Sequence, residues 1–332
     1  MTQAIAIPGT WHGRVDTEET GPSERWHQCV QALRADARGG VTLIGFAVDE
    51  GVRRNAGRAG AVNGPQALRA ALANMPVAGE PALFDAGDVE CSDGDLDVAQ
   101  DQFAAQVAAA IARGSLPLGL GGGHEIAWGS FQGIVRARPD ARVLVVNLDA
   151  HFDLRVAARA NSGTPFLQAQ QWCAASGQPF DYRVFGISRF ANTQALFDRA
   201  DALRVRYWLD EDLQDHEGTA QAREALRCDL RACDAVYLTV CLDVLPASLA
   251  PGVSAPAALG VPLVRIEALI DEVLDSGKVV AADLAELNPT LDRDGVTARV
   301  AARLAARIAR GAQPEPHRAQ ATTVPLLRAL PT

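Results

Sequence analysis

The segment Asp149-Ala150-His151-Phe152-Asp153 carries two carboxylates and an imidazole at alternate positions, directly behind the apolar run LVVNL. Alternate side chains of an extended chain point to the same side, so the three groups can converge beyond one strand end. Two carboxylates and an imidazole there would make a hard, oxygen-rich metal site. A solvated polar loop after a strand would show the same pattern, and this segment alone supports the two interpretations equally.

In two further segments, possible metal ligands directly follow an apolar run in the sequence. In LPLGLGGGHEIAWGS, three glycines precede His124 and Glu125, where a helical pattern begins. A phosphate-binding loop is poorly matched, because neither G-x-G-x-x-G nor a G-K-[ST] ending is present. By itself this segment favours a structural turn followed by a core histidine. In YLTVCLDV, Cys241 and Asp243 end a strand at same-face spacing, although an acidic residue is ordinary there.

The elements that must position these residues follow from the apolar pattern. Short β-branched runs, which are typical of strands, alternate with longer amphipathic stretches, which are typical of half-buried helices. Predicted helices contain the stripe of Phe103, Val107 and Ile111 and the segments 263–274 and 296–308. Predicted strands cover residues 41–49, 116–123, 142–153, 182–188, 235–244 and 278–289.

Strands that are apolar nearly throughout and alternate with helices predict a parallel sheet covered by helices on both faces. Such sheets bind ligands beyond the carboxyl ends of their strands. Three separate strand ends deliver ligand-type residues to that edge, and together they predict a metal site. Because no linker or internal repeat interrupts the chain, we expect residues 1–332 to form one domain.

The composition restricts partners and location. Asp and Glu total 40 against 31 Lys and Arg, which disfavours nucleic acid and anionic membranes as partners but tolerates small cationic substrates. The six cysteines lack C-x-x-C spacing, so we expect reduced thiols. The beginning, MTQAIAIPGTWHGRVD, lacks the pattern of a signal peptide, and no later run reaches about eighteen apolar residues. We therefore expect a cytoplasmic protein.

The order and spacing of four motifs resemble the arginase (ureohydrolase) family. They are GGGHE (121–125), DAHFD (149–153), LDVLPASLAPGVSAPA (242–257) and AELNPTLD (285–292). The resemblance implies a three-layer α/β/α arginase-like fold with a central, mainly parallel sheet. It also implies a homo-oligomer, although no apolar helix stripe identifies an interface.

Within that family, the chain is most similar to the formimidoylglutamases. The similarity lies in WHGRVD (11–16), GVRRNAGRAGAVNGPQALRAAL (51–72), NSGTPF (161–166) and FGISRFANT (185–193). Arginases and agmatinases carry a histidine in the loop after DAHxD, whereas this chain has Ser162-Gly163-Thr164. The resemblance therefore implies hydrolysis of N-formimidoyl-L-glutamate to L-glutamate and formamide, a reaction of histidine degradation.

The same resemblance implies two Mn²⁺ ions. One would be bound by His124, Asp149, Asp153 and residue 241, and the other by Asp149, His151, residue 241 and Asp243. Two such ions sharing a water lower its pKa, and the resulting hydroxide would attack the formimidoyl carbon.

Further roles are implied for residues around the ions. Asp153 would orient the hydroxide and carry a proton to the leaving amine, and Glu286 would pair with the amidine. Glu125 could support His124, although a carboxylate at a helix start is favoured for it. Four residues would hold the substrate carboxylates: Arg155, Asn161, Ser162 and Arg189.

Position 241 departs from the pattern, because most of the family has a bridging aspartate where this chain has Cys241. A thiolate offers one donor atom, and sulfur is a soft ligand for Mn²⁺. In one outcome, which we favour, the thiolate still binds and two altered metal positions remain. In the other, Cys241 stands aside and leaves a weaker, singly occupied site.

Two other functions compete with this one. A related ureohydrolase would act on a guanidino acid and release urea. A catalytically weakened relative would serve regulation or assembly, with Cys241 as the lesion. Retention of the other ligand-type residues disfavours this last alternative, since a site without function is free to lose them.

Overall fold

The computed structural model describes residues 9–312. Within this range, nine strands join in a single sheet in which every neighbouring pair is parallel. In chain order they are β1 (Gln31–Ala32), β2 (Val41–Ala47), β3 (Leu83–Glu90), β4 (Leu116–Gly121), β5 (Val143–Leu148), β6 (Asp181–Ile187), β7 (Arg206–Leu209), β8 (Ala235–Cys241) and β9 (Val279–Ala285). Their order across the sheet is β1-β3-β2-β4-β9-β8-β5-β6-β7.

Helices cover both faces of the sheet. They are α1 (Trp26–Cys29), α2 (Glu50–Arg54), α3 (Gly64–Ala73), α4 (Leu96–Ala112), α5 (Ile126–Ala137), α6 (Pro165–Ser176), α7 (Gln194–Ala202), α8 (His216–Ala232), α9 (Leu263–Asp275) and α10 (Val296–Gly311). Helices α3, α8, α9 and α10 bury their apolar faces in one core, and α4, α5, α6 and α7 bury theirs in the other. The predicted three-layer fold with a parallel sheet is confirmed.

Alternation along the strands supplies both cores. In β2, Leu43 packs into the first core and Ile44 into the second, and in β8 Leu238 and Tyr237 divide in the same way. Because both faces are covered by helices, each of these strands has apolar residues at nearly every position. This is why the six predicted strands were recognisable, and each of them is confirmed with ends that differ by a few residues. Strands β1, β3 and β7 were not predicted.

The four central strands position the site. In the order β4, β9, β8 and β5, they are hydrogen-bonded neighbours with their carboxyl ends on one edge. Register keeps these ends level, since Leu148 pairs with Val240 and Cys241 pairs with Ala285. The residues that follow each strand therefore meet above the middle of the sheet.

Two expectations concern the chain as a whole. No helix within residues 9–312 has the length and apolar character needed to cross a membrane. Residues 1–8 of the segment tested for a signal peptide lie outside the described range. All six cysteines lie inside it, and none forms a disulfide.

Candidate metal centre

His124 reaches the middle of the sheet edge because the glycines before it let the chain cross the end of β9. A Cβ at Gly121 would collide with Leu284 O, and one at Gly122 would collide with Val48 O. The amide of Glu286 donates to Gly122 O at 2.8 Å, which fixes the crossing. Glycine is therefore required in this run because the neighbouring backbones approach so closely. The glycine turn in turn positions His124.

The first group of possible ligands surrounds the His124 ring. Its Nδ1 lies 3.0 Å from Asp149 Oδ2 and 2.9 Å from Asp153 Oδ2. Ligand atoms of His124, Asp149 and Cys241 all lie within 4.8 Å of one another. Three strand ends therefore converge on one point, as the sequence predicted.

The second group shares Asp149 with the first. Ligand atoms of Asp149, His151 and Asp243 lie within 4.8 Å of one another. His151 Nδ1 is 3.5 Å from Asp149 Oδ1 and 3.2 Å from Asp243 Oδ2. The two oxygens of Asp149 thus face different imidazoles, which is the arrangement expected of a carboxylate that bridges two cations.

Backbone strain is concentrated in the same place. Asp153 has φ 49° and Glu286 has φ 73°, in the left-handed region that non-glycine residues rarely adopt. Such conformations cost on the order of 1–3 kcal/mol each and persist where surrounding structure enforces them. Glu286 Oε1 accepts a 2.9 Å hydrogen bond from the amide of His124, so the strained turn also holds the histidine loop.

The buried charges shift one another's pKa. Burial opposes protonation of both imidazoles, yet Asp149 and Asp153 raise the pKa of His124, and Asp243 and Asp149 raise that of His151. Burial disfavours ionised Asp149, but the two histidines outweigh it and hold its pKa below the usual range. Burial, followed by the charge of Asp149, raises the pKa of Asp153. Positive charge at this point is therefore strongly favoured.

Two other acidic groups show the effect of burial. Burial, with Glu125 and Asp243 nearby, raises the pKa of Glu286 to about 8. Burial likewise raises the pKa of the Cys241 thiol well above its ordinary value, with Asp149 and Asp243 adding to the shift. A cation beside these groups would favour their ionised forms.

Buried polar atoms that lack a hydrogen-bond partner show whether these residues are suited to bind a metal ion. Within residues 9–312, His124 Nδ1 and Asp243 Oδ1 are buried without a hydrogen-bond partner, although carboxylates lie within 3.0 Å of that nitrogen. Buried polar atoms nearly always have a hydrogen-bond partner, so these two atoms are suited to bind a cation. With imidazole, carboxylate and thiol donors converging, the donor set fits a pair of cations.

Residues behind the ligands were not predicted. His124 Nε2 lies 3.1 Å from Thr239 Oγ1. Asp283 accepts hydrogen bonds from Ser130 at 2.5 Å and from Tyr237 at 2.6 Å. Asn147 Nδ2 donates to Asp149 Oδ2 at 3.0 Å. The sequence spacing could have identified two of them. Thr239 and Asn147 each precede a metal-ligand residue by two strand positions and therefore share its side of the sheet.

A cavity of about 350 Å³ opens above the ligands. Arg155 and Ser162 line it, as predicted for residues that contact substrate, together with Asp153 and Glu286. Three further polar residues that line the cavity were not predicted, namely Asn55, Arg58 and Ser254. The first two lie in the segment 51–72, which had already been singled out by resemblance.

Two residues predicted to contact substrate, Asn161 and Arg189, do not line the cavity, and neither does Glu125. Asn161 is buried, and its Oδ1 accepts from the amide of Gly163 at 2.9 Å, which shapes the loop carrying Ser162. Arg189 is exposed and faces Glu211 at 3.3 Å. Glu125 is buried, and its Oε1 accepts from the amide of Gly51 at 2.7 Å. Contact of Asn161 or Arg189 with substrate stays a prediction.

Comparison with known proteins agrees with this geometry. The arginase family model matches residues 40–310. A formimidoylglutamase of Ralstonia nicotianae is 50% identical over 318 residues, covering 93% of this chain and 97% of the relative. One of Cupriavidus pinatubonensis is 52% identical over 308 residues, covering 90% and 96%.

Solved structures show the same fold. Formimidoylglutamase of Bacillus subtilis superposes with a TM-score of 0.79 at 20% identity, covering 92% of this chain and 96% of the other. Trypanosoma cruzi formiminoglutamase with Mn²⁺ superposes with a TM-score of 0.77 at 26% identity, covering 87% and 98%.

Proposed function

Because this chain belongs to the arginase family, we propose that it hydrolyses N-formimidoyl-L-glutamate to L-glutamate and formamide. The observation that carries the proposal is the pair of ligand groups sharing Asp149 beneath a cavity that also contains arginines. Relatives named formimidoylglutamase, about 50% identical over nine-tenths of the chain, support the choice of substrate.

The ligand groups support the binding of two Mn²⁺ ions. One would be held by His124, Asp149, Asp153 and Cys241, and the other by Asp149, His151, Cys241 and Asp243. The Mn²⁺-containing Trypanosoma cruzi structure supports the choice of metal. When bound, the ions would lower the pKa of a shared water so that it can attack at neutral pH. The grouping of Cys241 with His124 and Asp149 supports binding through the thiolate rather than its exclusion.

Asp153 is proposed to transfer a proton to the leaving amine. Its carboxylate lines the cavity and belongs to the first ligand group, so it can orient the attacking water. Addition of water to the formimidoyl carbon precedes cleavage of the bond from that carbon to the α-nitrogen of glutamate, and this nitrogen must gain a proton to leave as an amine. A carboxylate beside the water can carry the proton across.

Glu286 is proposed to hold the amidine. One carboxylate oxygen accepts from the amide of His124, which leaves the other for the substrate. An amidinium would pair with Glu286 and would favour its ionised form. The loop after β5 supplies groups for the anionic end, where Arg155 and Ser162 line the cavity. Asn161 and Arg189 complete the proposed set.

We also propose that residues 1–332 form one domain, that the protein is cytoplasmic and that it assembles as a homo-oligomer. One continuous sheet supports the first proposal. The six cysteines, all of them free, support the second. The common occurrence of homo-oligomers in the family supports the third.

A substrate panel tests the function. The Mn²⁺-loaded protein is incubated with formimidoylglutamate, arginine, agmatine and 4-guanidinobutanoate, and formamide and urea are quantified. We expect formamide from the first compound and little urea from the others. Asp149→Asn, which removes the shared ligand, is the inactive control. Urea from a guanidino compound would instead favour a related ureohydrolase, and no turnover of any compound would favour a non-enzymatic role.

A further inference from the structure

Arg58 is held against the loop that follows β8. Its Nε donates to Ser254 O at 2.8 Å, and its Nη2 donates to Val253 O at 2.7 Å. Its amide donates to Ser254 Oγ at 2.8 Å. Backbone carbonyls thus fix the guanidinium before any ligand arrives, so little side-chain entropy remains to be lost on binding.

The donors that remain form a fork. A guanidinium has five N–H groups, and Arg58 uses the Nε–H and one Nη2–H on the two carbonyls. Both Nη1–H groups and the other Nη2–H have no acceptor among the residues that the structure describes. The edge between Nη1 and Nη2 presents two parallel donors, which is the geometry that binds a carboxylate bidentately.

The charge of Arg58 has no acidic partner among residues 9–312. Within the part of the chain that the structure describes, no carboxylate forms an ion pair with Arg58, which lines the same cavity as the metal ligands. The side chain of Arg155, on the loop after β5, likewise has no acidic partner in this range. A Cβ at position 163 would lie 2.6 Å from Arg155 Cδ, so Gly163 leaves room for this side chain.

A polar contact joins the two loops that carry these arginines. Asn55 Nδ2 donates to Ser162 Oγ at 3.1 Å, and both residues line the cavity. The wall of the cavity therefore has two separate guanidinium groups, whereas its floor has the acidic metal-ligand residues. A ligand that matches both ends has a cationic head and two anionic groups.

We infer that Arg58 is a specificity-determining residue that binds one of two carboxylates of the substrate, with Arg155 available for the other. This inference rests on the proposed function and adds to it the selection of amidines of amino-dicarboxylic acids. Substrates with a cationic amino group, such as arginine, would meet two uncompensated guanidinium groups, and this repulsion discriminates against them.

Kinetics of Arg58→Met tests the inference. We expect KM for formimidoylglutamate to rise on the order of 10- to 100-fold, because a charge-assisted pair is lost, while kcat stays within about threefold. Arg159→Met, which removes an exposed charge outside the cavity, is the matched control and should leave KM unchanged.

Two analogues separate recognition from structural damage. N-formimidoyl-4-aminobutanoate lacks the α-carboxylate, and N-formimidoyl-2-aminobutanoate lacks the γ-carboxylate. Whichever carboxylate Arg58 binds, one analogue should be turned over with similar kcat/KM by wild type and Arg58→Met. Equal losses on all three substrates, or an unchanged KM for formimidoylglutamate, would overturn the inference.

Binding of the product keeps the two proposals distinguishable. Calorimetric titration of L-glutamate into the Mn²⁺-loaded protein should show affinity that Arg58→Met weakens by the same factor. If wild type bound glutamate in this way but did not hydrolyse formimidoylglutamate, the proposed function would fail and the role of Arg58 would stand. Glutamate binding that is identical in both proteins would overturn the role of Arg58.

Discussion

The two ring nitrogens of His124 face different partners. If Nδ1 gives its lone pair to a cation, Nε2 keeps the proton and donates it to Thr239 Oγ1, 3.1 Å away. The threonine must then donate its own proton onward. Asp283 is the register partner of Thr239 across β8 and β9. Within residues 9–312 its buried Oδ1 has no hydrogen-bond partner, so this oxygen is available to accept that hydrogen bond. A chain from carboxylate to hydroxyl to imidazole would fix the tautomer that binds metal.

We predict that Thr239→Val lowers Mn²⁺ affinity about tenfold, within the range found when groups behind metal ligands are removed. Valine keeps the shape of threonine but leaves the Nε2–H of His124 buried and unpaired. Titration of free Mn²⁺ by electron paramagnetic resonance measures the change. Thr239→Ser retains the hydroxyl and is the control that should bind nearly as wild type. Equal affinity in Thr239→Val and wild type would show that the hydroxyl does not orient the ring.

Cys241→Asp should raise Mn²⁺ affinity. The hard carboxylate suits this ion better than sulfur, and its second oxygen allows each oxygen to reach one metal position. Elemental analysis after dialysis against manganese measures the occupancy of both proteins. We expect more manganese per chain in the variant. Absence of metal from both proteins would contradict the proposed centre, and higher occupancy in wild type would show that the thiolate is the better ligand here.

A buried carboxylate holds helix α2 to the loop that carries His124. Glu125, at the start of α5, accepts from the amide of Gly51 in α2. A Cβ at position 51 would lie 2.7 Å from both oxygens of Glu125, closer than real Cβ contacts allow. Glycine is therefore needed at this position. Because Glu125 is fully buried, a larger residue must displace α2 itself.

We predict that Gly51→Ala destabilises the protein by roughly 1–3 kcal/mol, as expected of overpacking. It should also raise KM, because α2 leads directly into Asn55 and Arg58 at the cavity wall. Chemical denaturation and steady-state kinetics measure the two effects. Gly21→Ala is the control, since no atom of the described part of the chain lies within 4 Å of its Cβ position. A shift in stability no larger than that of the control would mean that Glu125 can move aside.

The strands that the sequence predicted are those buried on both faces, because their apolar runs have no other common explanation. Strand β3 escaped prediction because its sequence, LFDAGDVE, is interrupted by Asp85 and Asp88, which pair with the buried Arg69. Strand β7 is a four-residue edge strand with an exposed arginine. These strands are defined by long-range pairing, which local apolar pattern does not encode.

The residues of the site also divide into those that the sequence could predict and those that it could not. Residues at strand ends were predictable, because parallel strands bring their carboxyl ends to one edge. Arg58 and Ser254 were not, since each lies in a loop and they meet across 196 positions of the chain. Arg189 was assigned by resemblance alone, and the structure places it beside Glu211 rather than at the cavity. Loop residues depend on packing that neither spacing nor periodicity specifies.

The proposed centre joins parts of the molecule that are distant in sequence. Its ligands come from the loops after β4 and β5 and from the end of β8 with the residues that follow it, so a bound cation would connect segments around residues 124, 151 and 242. A ligand that binds only the folded chain stabilises it by RT ln(1 + [L]/Kd), which is about 2.7 kcal/mol at a hundred times Kd. Metal binding should therefore be visible in the stability of the whole chain.

We predict that Mn²⁺ at this concentration raises the Tm by about 4 °C, given an unfolding entropy of roughly 2.1 cal/mol/K per residue. Differential scanning calorimetry with and without Mn²⁺ measures the shift. Asp149→Asn should lose most of it, because Asp149 belongs to both ligand groups, whereas Arg159→Met should keep it. A shift that survives in Asp149→Asn would place the bound ion elsewhere on the protein. Since three loops share the ligands, loss of one shared carboxylate should weaken both cation positions together.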